Sequence, residues 1–169
     1  MAQPTKAELR KEFLAKRDTL DAVERKRHSS LIRQRVFQHA AWKNATTILC
    51  YVSFGSEVET GALIQEARRF KKRVVIPLHK PESRLEPPLN PAEVELALLP
   101  GIVFDPQGGR IGFGGGYFDR LLPQMPKAFR MGLAFSAQLS AAPLPLESHD
   151  VRMNALITEK EVLNIVIPA

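Results

Sequence analysis

The sequence predicts an α/β fold in three layers, with a mainly parallel sheet covered by helices on both faces. Two observations carry this. Helical patterns alternate with short apolar runs of strand length, and those runs lack the in–out alternation of a half-exposed strand. The 169 residues, 44% of them hydrophobic, suffice to bury one core without disulfides, so residues 1–169 read as a single domain.

Thr5-Lys6-Ala7-Glu8 has the form of a capping box, and Leu9, Phe13, Leu14 and Leu20 supply an apolar stripe behind it. Asp21-Ala22-Val23-Glu24 is a second start signal, and Leu31, Ile32 and Val36 continue a helix expected to end near Ala40. Thr46 to Val52 is β-branched and aromatic, a strand. A loop, Ser53 to Glu57, leads to a short helix from about Thr60 to Phe70. Val74-Val75-Ile76 is a strand stopped by Pro77. Residues 79–91 hold four of the 13 prolines and read as an irregular connection. Leu96–Leu99 and Ile102–Phe104 flank Pro100-Gly101 as one buried strand, bent there. A glycine-rich loop precedes a helix from about Gly116 to Leu122. Met131–Phe135, Ala155–Thr158 and Val162–Ile167 complete the strands.

The formal charge is +6, and residues 1–50 hold all of the excess, with 11 Lys/Arg against 5 Asp/Glu. Such a segment suits phosphates or nucleic acid, or is a solvated helix face. Cys50 is the one cysteine, so no internal disulfide forms and a reducing compartment is expected. No apolar run approaches the ~18 residues of a membrane span. The N-terminal segment lacks an apolar signal core and carries Glu8, Glu12 and Asp18. A cytoplasmic protein without a membrane partner is expected.

Gly108 to Arg120, GGRIGFGGGYFDR, contains six of the chain's 10 glycines. Glycines let backbone amides approach a ligand closely, and amides converging at a helix start bind anions. Arg110 adds a planar, permanently charged fork for phosphate oxygens. Asp119 is a hard ligand suited to Mg²⁺. These residue types together describe a nucleotide triphosphate–magnesium site. It is not a P-loop, because no Gly-Lys-Ser/Thr string exists. Nor is it a dinucleotide fingerprint: Gly112 and Gly114 would require glycine where Tyr117 stands. As a bare glycine-rich turn it would leave the flanking Arg and Asp unexplained.

Leu98 to Leu122, LLPGIVFDPQGGRIGFGGGYFDRLL, closely resembles the signature of 5-formyltetrahydrofolate cyclo-ligases, also called methenyltetrahydrofolate synthetases. Three further segments agree in order: Lys6-Ala7-Glu8-Leu9-Arg10, Ser56-Glu57-Val58-Glu59-Thr60, and His149-Asp150 followed by Ile157-Thr158-Glu159. The resemblance implies a Rossmann-like fold of the NagB/RpiA/CoA-transferase-like kind. It implies that Lys6, Arg10, Arg110, Gly112, Phe113, Gly114, Gly115, Gly116, Tyr117 and Phe118 bind ATP. Asp119 and Asp150 would hold Mg²⁺, directly or through water. Phe54, Glu59 and Tyr117 would bind the folate, with Tyr117 and Arg110 catalytic. Asp105 and His149 would order loops, and Cys50 belongs to the core. The implied reaction is ATP-dependent closure of 5-formyltetrahydrofolate to 5,10-methenyltetrahydrofolate through a phosphorylated formyl group. The implied partners are small molecules, with no nucleic acid, and the implied state is a monomer or weak dimer.

Departures from the family pattern are local. Only 22 residues separate Pro77 from Pro100, where the family carries a longer stretch that helps build the folate pocket. Phe118 replaces a common Tyr, and Asn154 stands where Asp is frequent. Two rivals remain at the sequence level: an ATP-binding relative acting on another small molecule, and a basic nucleic-acid-binding module.

Overall fold

The computed structural model describes residues 2–78 and 84–167. The helices are α1 (Lys6–Asp18), α2 (Ala22–Gln38), α3 (Ala40–Asn44), α4 (Gly61–Arg69) and α5 (Tyr117–Leu121). The strands are β1 (Thr47–Cys50), β2 (Arg73–Leu78), β3 (Arg84–Glu86), β4 (Leu96–Leu99), β5 (Val103–Phe104), β6 (Arg110–Ile111), β7 (Phe129–Leu133), β8 (Ala155–Ile157) and β9 (Val162–Asn164). Seven strands form one sheet in the order β3-β2-β1-β4-β7-β8-β9. The five central strands run parallel, and the edge strands β3 and β9 are antiparallel.

Both capping boxes form as expected. The Thr5 hydroxyl accepts from Glu8 N and the Glu8 carboxylate accepts from Thr5 N, starting α1; Asp21 and Glu24 repeat the arrangement for α2. One sheet face is covered by α2, α3 and α4, whose Ile32, Val36, Trp42, Leu63 and Ala67 meet Ile48, Cys50, Leu96, Leu98 and Met131. The other face is covered by α5 and the turn after it, through Phe118, Leu121 and Met125 against Leu49, Ala97, Leu99 and Leu156. Successive residues of β1 and β4 thus enter opposite cores, which is why these runs are apolar throughout. Cys50 is buried, and burial pushes its thiol up to about 12, so it is an inert core residue.

Four expectations are corrected. The second helix stops at Gln38, and His39 Nδ1 accepts from Ala41 N at 3.1 Å to start α3. Leu96–Phe104 is not one bent strand: β4 lies in the main sheet, whereas β5 pairs with β6 in a separate antiparallel ribbon. β2 continues through Pro77, because its parallel register with β1 ends at Val75 and β3 takes over beyond it. Part of the expected irregular connection is the strand β3; residues 79–83 lie outside the described residues.

The ribbon gives α1 its seat. Leu9 and Phe13 pack on Val103, Ile111 and Leu144. Phe104, fully buried, wedges between Gly101 and Gly132. A Cβ at Gly132 would lie 2.7 Å from Phe104 Cε1 and 2.9 Å from Leu156 Cδ2. Gly132→Ala is therefore expected to cost about 1–3 kcal/mol by overpacking. Thermal denaturation should show a fall of roughly 2–4 °C per kcal/mol. An unaltered midpoint would mean that the Phe104 ring can move aside freely.

Candidate active site

A cleft of about 1200 Å³ opens beyond the carboxyl ends of β1, β2 and β4. This is where ligands bind in parallel α/β sheets, because loops leaving the strands can diverge there. One end of the cleft is polar, and the other is apolar.

The polar end is built by the glycine loop and the start of α1. Gly114 and Gly116 have φ of +109° and +66°, a region L side chains adopt rarely, so the loop can turn its backbone toward the cleft only with glycine there. Gly116 caps α5, which has only five residues, so the groups this loop offers to the cleft are backbone amides rather than the dipole of a long helix. Arg10 Nε donates to Gly112 O at 2.7 Å and ties α1 to the loop. Lys6, one turn earlier, forms an ion pair with Asp150 at 2.6 Å and lies 3.4 Å from Glu147. Arg110 is buried; its Nη1 donates to Pro100 O at 3.1 Å and its Nη2 lies 3.8 Å from Asp119 Oδ2. Its guanidinium also faces the Phe118 ring, 5.3 Å from the centroid. Asp119 Oδ1 accepts from Val151 N at 3.0 Å.

Among the described residues, three cations (Lys6, Arg10 and Arg110) and three carboxylates (Asp119, Glu147 and Asp150) therefore line one end of the cleft. Burial alone would lower the Lys6 pKa, but the hydrogen bond and charge of Asp150, helped by Glu147, raise it. Burial alone would raise Asp150, but Lys6, Glu147 N and the His149 charge hold its carboxyl below the usual range. Burial pulls Arg110 down, opposed by Asp119 and Asp150. Burial raises the Tyr117 phenol, which stays protonated at neutral pH. His149 is exposed and lies 3.6 Å from both Glu147 Oε2 and Asp150 Oδ1, as a partner of the acidic turn.

Asp119 and Asp150 present carboxylate oxygens to the cleft, the donor type that suits a hard cation. Magnesium characteristically takes one or two carboxylates and completes its shell with phosphates and water. The Lys6 ammonium against Asp150 shows that this carboxylate already receives a cation at close range. Among the described residues no group of three or more His, Cys, Asp or Glu side chains could hold a metal.

The apolar end is lined by Tyr51, Phe54, Ile76, Pro77 and Leu78, with the Phe54 ring 80% exposed. Glu59, the carboxylate expected here, is not among the lining residues; it is exposed and its amide donates to Ser29 Oγ. Glu57 lines the cleft instead and is buried. Gly55 at φ +59° turns the chain so that Glu57 N reaches Phe54 O, and the Glu57 carboxylate accepts from Phe54 N at 2.7 Å. The Tyr51 hydroxyl donates to Val58 O and the Thr60 hydroxyl donates to Tyr51 O, so Val58 and Thr60 point inward and Glu59 outward.

Burial raises the Glu57 pKa above 4.5, opposed by the Phe54 amide and Arg17. A raised carboxyl means that the folded state holds its proton longer than the unfolded chain. That contribution to stability is complete below about pH 4.5 and is lost as pH rises through the folded value. Glu57→Gln, titrationally silent, should therefore gain on the wild type in melting temperature between about pH 4 and pH 7, whatever their offset at low pH. A constant difference across that range would refute the buried, raised carboxyl.

Asp105 lies behind the polar end and is 1% exposed. Its carboxylate accepts from Gln107 N, Gly109 N and Leu144 N at 2.8–2.9 Å, ordering the turn that leads to Arg110.

The 5-formyltetrahydrofolate cyclo-ligase family model matches residues 2–91 and 78–159. The mouse 5-formyltetrahydrofolate cyclo-ligase is 29% identical over 187 aligned positions, covering 89% of this chain and 92% of the mouse protein. The Escherichia coli K12 cyclo-ligase is 31% identical, covering 70% of this chain and 80% of that protein. Among solved structures, 5,10-methenyltetrahydrofolate synthetase from Aquifex aeolicus superposes with a TM-score of 0.82 at 29% identity, covering 97% of this chain and 94% of that one. The Mycoplasma pneumoniae synthetase gives 0.77 at 25% identity, with 91% and 98% covered. From its cleft residues and from these matches along nearly its whole length, the chain belongs to the 5-formyltetrahydrofolate cyclo-ligase family, whose members are ligase enzymes.

Proposed function

We propose that this enzyme uses Mg²⁺-ATP to close 5-formyltetrahydrofolate into 5,10-methenyltetrahydrofolate, releasing ADP and phosphate, in the cytoplasm. The observation that carries the reading is the division of one cleft into a cationic, glycine-rich end and an aromatic end bearing Glu57. A triphosphate suits the first, and a fused ring system suits the second.

A formamide is a poor electrophile, because its nitrogen donates into the carbonyl. The formyl oxygen attacks the γ-phosphorus of ATP, and ADP leaves. N10 then attacks the activated carbon and loses its proton, the carbon–oxygen bond breaks, and phosphate departs. Phosphoryl transfer asks for positioning and charge neutralisation rather than a covalent protein nucleophile. Lys6, Arg10 and Arg110 supply the positive charge, and the amides from Gly112 to Phe118 wrap the phosphates. Asp119 and Asp150 would hold the magnesium ion, which neutralises phosphate charge when bound. Lys6 turns from Asp150 to the phosphates as they arrive, freeing the carboxylate. The protonated Tyr117 hydroxyl would donate to the formyl or phosphoryl oxygens. Phe54 packs on the folate ring, and Glu57, rather than Glu59, accepts from its polar edge.

The test is growth of the methenyl-folate absorbance band with purified protein, 5-formyltetrahydrofolate and Mg²⁺-ATP. ATP-dependent growth supports the reading. The mouse alignment is longer than the 169-residue chain, so the mouse protein has segments that this chain lacks. ATP binding without growth of the band would therefore favour a relative acting on another small molecule. Salt-sensitive binding of nucleic acid without ATP binding would favour the basic-module reading.

A further inference from the structure

Arg17 is 3% exposed and does not line the cleft, yet it touches three segments that do. Its Nε donates to Ser56 Oγ at 2.9 Å, and its Nη1 donates to Gly101 O at 3.2 Å. Its guanidinium carbon lies 6.0 Å from the centroid of Phe113 on the glycine loop. Ser56 Oγ in turn donates to the Asp18 carboxylate, so the turn preceding Glu57 is fastened to the end of α1 twice. On a helix of 3.6 residues per turn, Lys6, Arg10 and Arg17 fall within about 40° of one another, on one face. The front of that face serves the phosphate end of the cleft. The back, through Arg17, holds the Phe54–Glu57 turn and the loop after β4.

We infer that Arg17 is a positioning residue for the folate half of the reaction: it fixes the Phe54–Glu57 turn relative to Gly101 and the glycine loop, so that α1 sets the spacing between the two half-sites. The inference rests on the proposed reading of those halves. A guanidinium is the group for this task, because its rigid fork addresses two acceptors from one side chain, whereas an ammonium is a single point. Lys6 and Arg10 have contacts of their own, to Asp150 and to Gly112 O.

The experiment is steady-state kinetics on the full chain, comparing wild type, Arg17→Met and Arg17→Lys, with KM measured separately for ATP and 5-formyltetrahydrofolate. Circular dichroism melts confirm that each variant is folded at the assay temperature. For Arg17→Met the folate KM should rise about tenfold or more while the ATP KM changes less than about threefold, as expected when the Phe54–Glu57 turn loses its charge-assisted bond through Ser56 while Lys6 and Arg10 keep contacts of their own. Arg17→Lys should show a smaller rise with the same bias, and it decides the matter if the Met variant does not fold. Equal rises for both substrates, or no rise, would overturn the role of Arg17, as would full restoration by Lys. A wild type that turns over keeps the functional reading intact in each of those cases. A wild type that makes no methenyl product removes that reading and this inference together.

Discussion

Asp119→Asn is expected to lower turnover on the order of 100-fold while leaving the protein folded, and to raise the magnesium concentration needed for half-maximal rate. The substitution is chosen for what it keeps. Asp119 Oδ1 accepts from Val151 N, and an asparagine carbonyl can do the same. What it removes is the charge on the second oxygen, 3.8 Å from Arg110. A neutral amide is a poor ligand for a small hard cation, and loss of charge at such a ligand weakens both metal affinity and phosphoryl transfer. The amide nitrogen would also face the Arg110 guanidinium, donor to donor, at a site where burial already disfavours that cation. Melting should therefore fall modestly. Asp119→Ala should fall further, by about 1–3 kcal/mol, because the Val151 amide then loses its acceptor too. The side chain is only 14% exposed, so its removal affects the fold as well as the chemistry. Turnover by Asp119→Asn that matches wild type at limiting magnesium would end the assignment of this carboxylate to the metal.

The parts of this structure that were legible in the sequence are those with local causes. Thr5 with Glu8, and Asp21 with Glu24, announce helix starts because a capping box involves only four residues. The central strands were legible because burial on both faces leaves an unbroken apolar run. The glycine loop was legible because Gly114 and Gly116 occupy backbone conformations that few other residues tolerate. What escaped was decided at long range. Ile102–Phe104 has the composition of a sheet strand, but Ile102 N bonds to Ile111 O and β5 pairs with a two-residue strand from beyond the turn. Strands that short carry no periodicity to detect. In Glu57-Val58-Glu59 two carboxylates compete for one place in the cleft. The outcome depends on Tyr51 and Thr60 drawing Val58 and Thr60 inward, which composition does not reveal. The one local signal was Gly55, whose positive φ marks a turn that Glu57 closes. Arg17 escaped because nothing in a helical stripe of basic residues distinguishes the one whose partners are a hydroxyl and a carbonyl on two other loops.

Asp105→Ala should be the most destabilising single substitution at the site, at about 4 kcal/mol or more, although Asp105 touches neither proposed substrate. Three backbone amides converge on its carboxylate within a buried turn. Each buried donor left without an acceptor costs about 1–3 kcal/mol, and the methyl group of alanine satisfies none of them. The turn cannot readily collapse to compensate. Gly109 lies against the carboxylate so closely that a Cβ there would stand 2.5 Å from Asp105 Oδ2, and Asp105 N is itself bonded to Gly109 O. Against a total stability of about 5–15 kcal/mol, such a loss lowers the melting midpoint by roughly 10 °C or more. Asp105→Asn separates charge from geometry. Its carbonyl oxygen can serve Gln107 N and Gly109 N together, but its amide nitrogen then faces Leu144 N, so one donor of three is lost. The expected order of melting temperature is wild type, then Asn, then Ala, with no rotamer able to rescue Asn because both carboxylate oxygens accept in the native protein. Arg110 follows Gly109 directly, so the same loosening should weaken Mg²⁺-ATP binding in the fraction that stays folded. Nucleotide titration below the melting range measures that second effect. If Asp105→Ala melts within about 2 °C of wild type, the three hydrogen bonds do not hold this turn, and the position of Arg110 must be set from elsewhere.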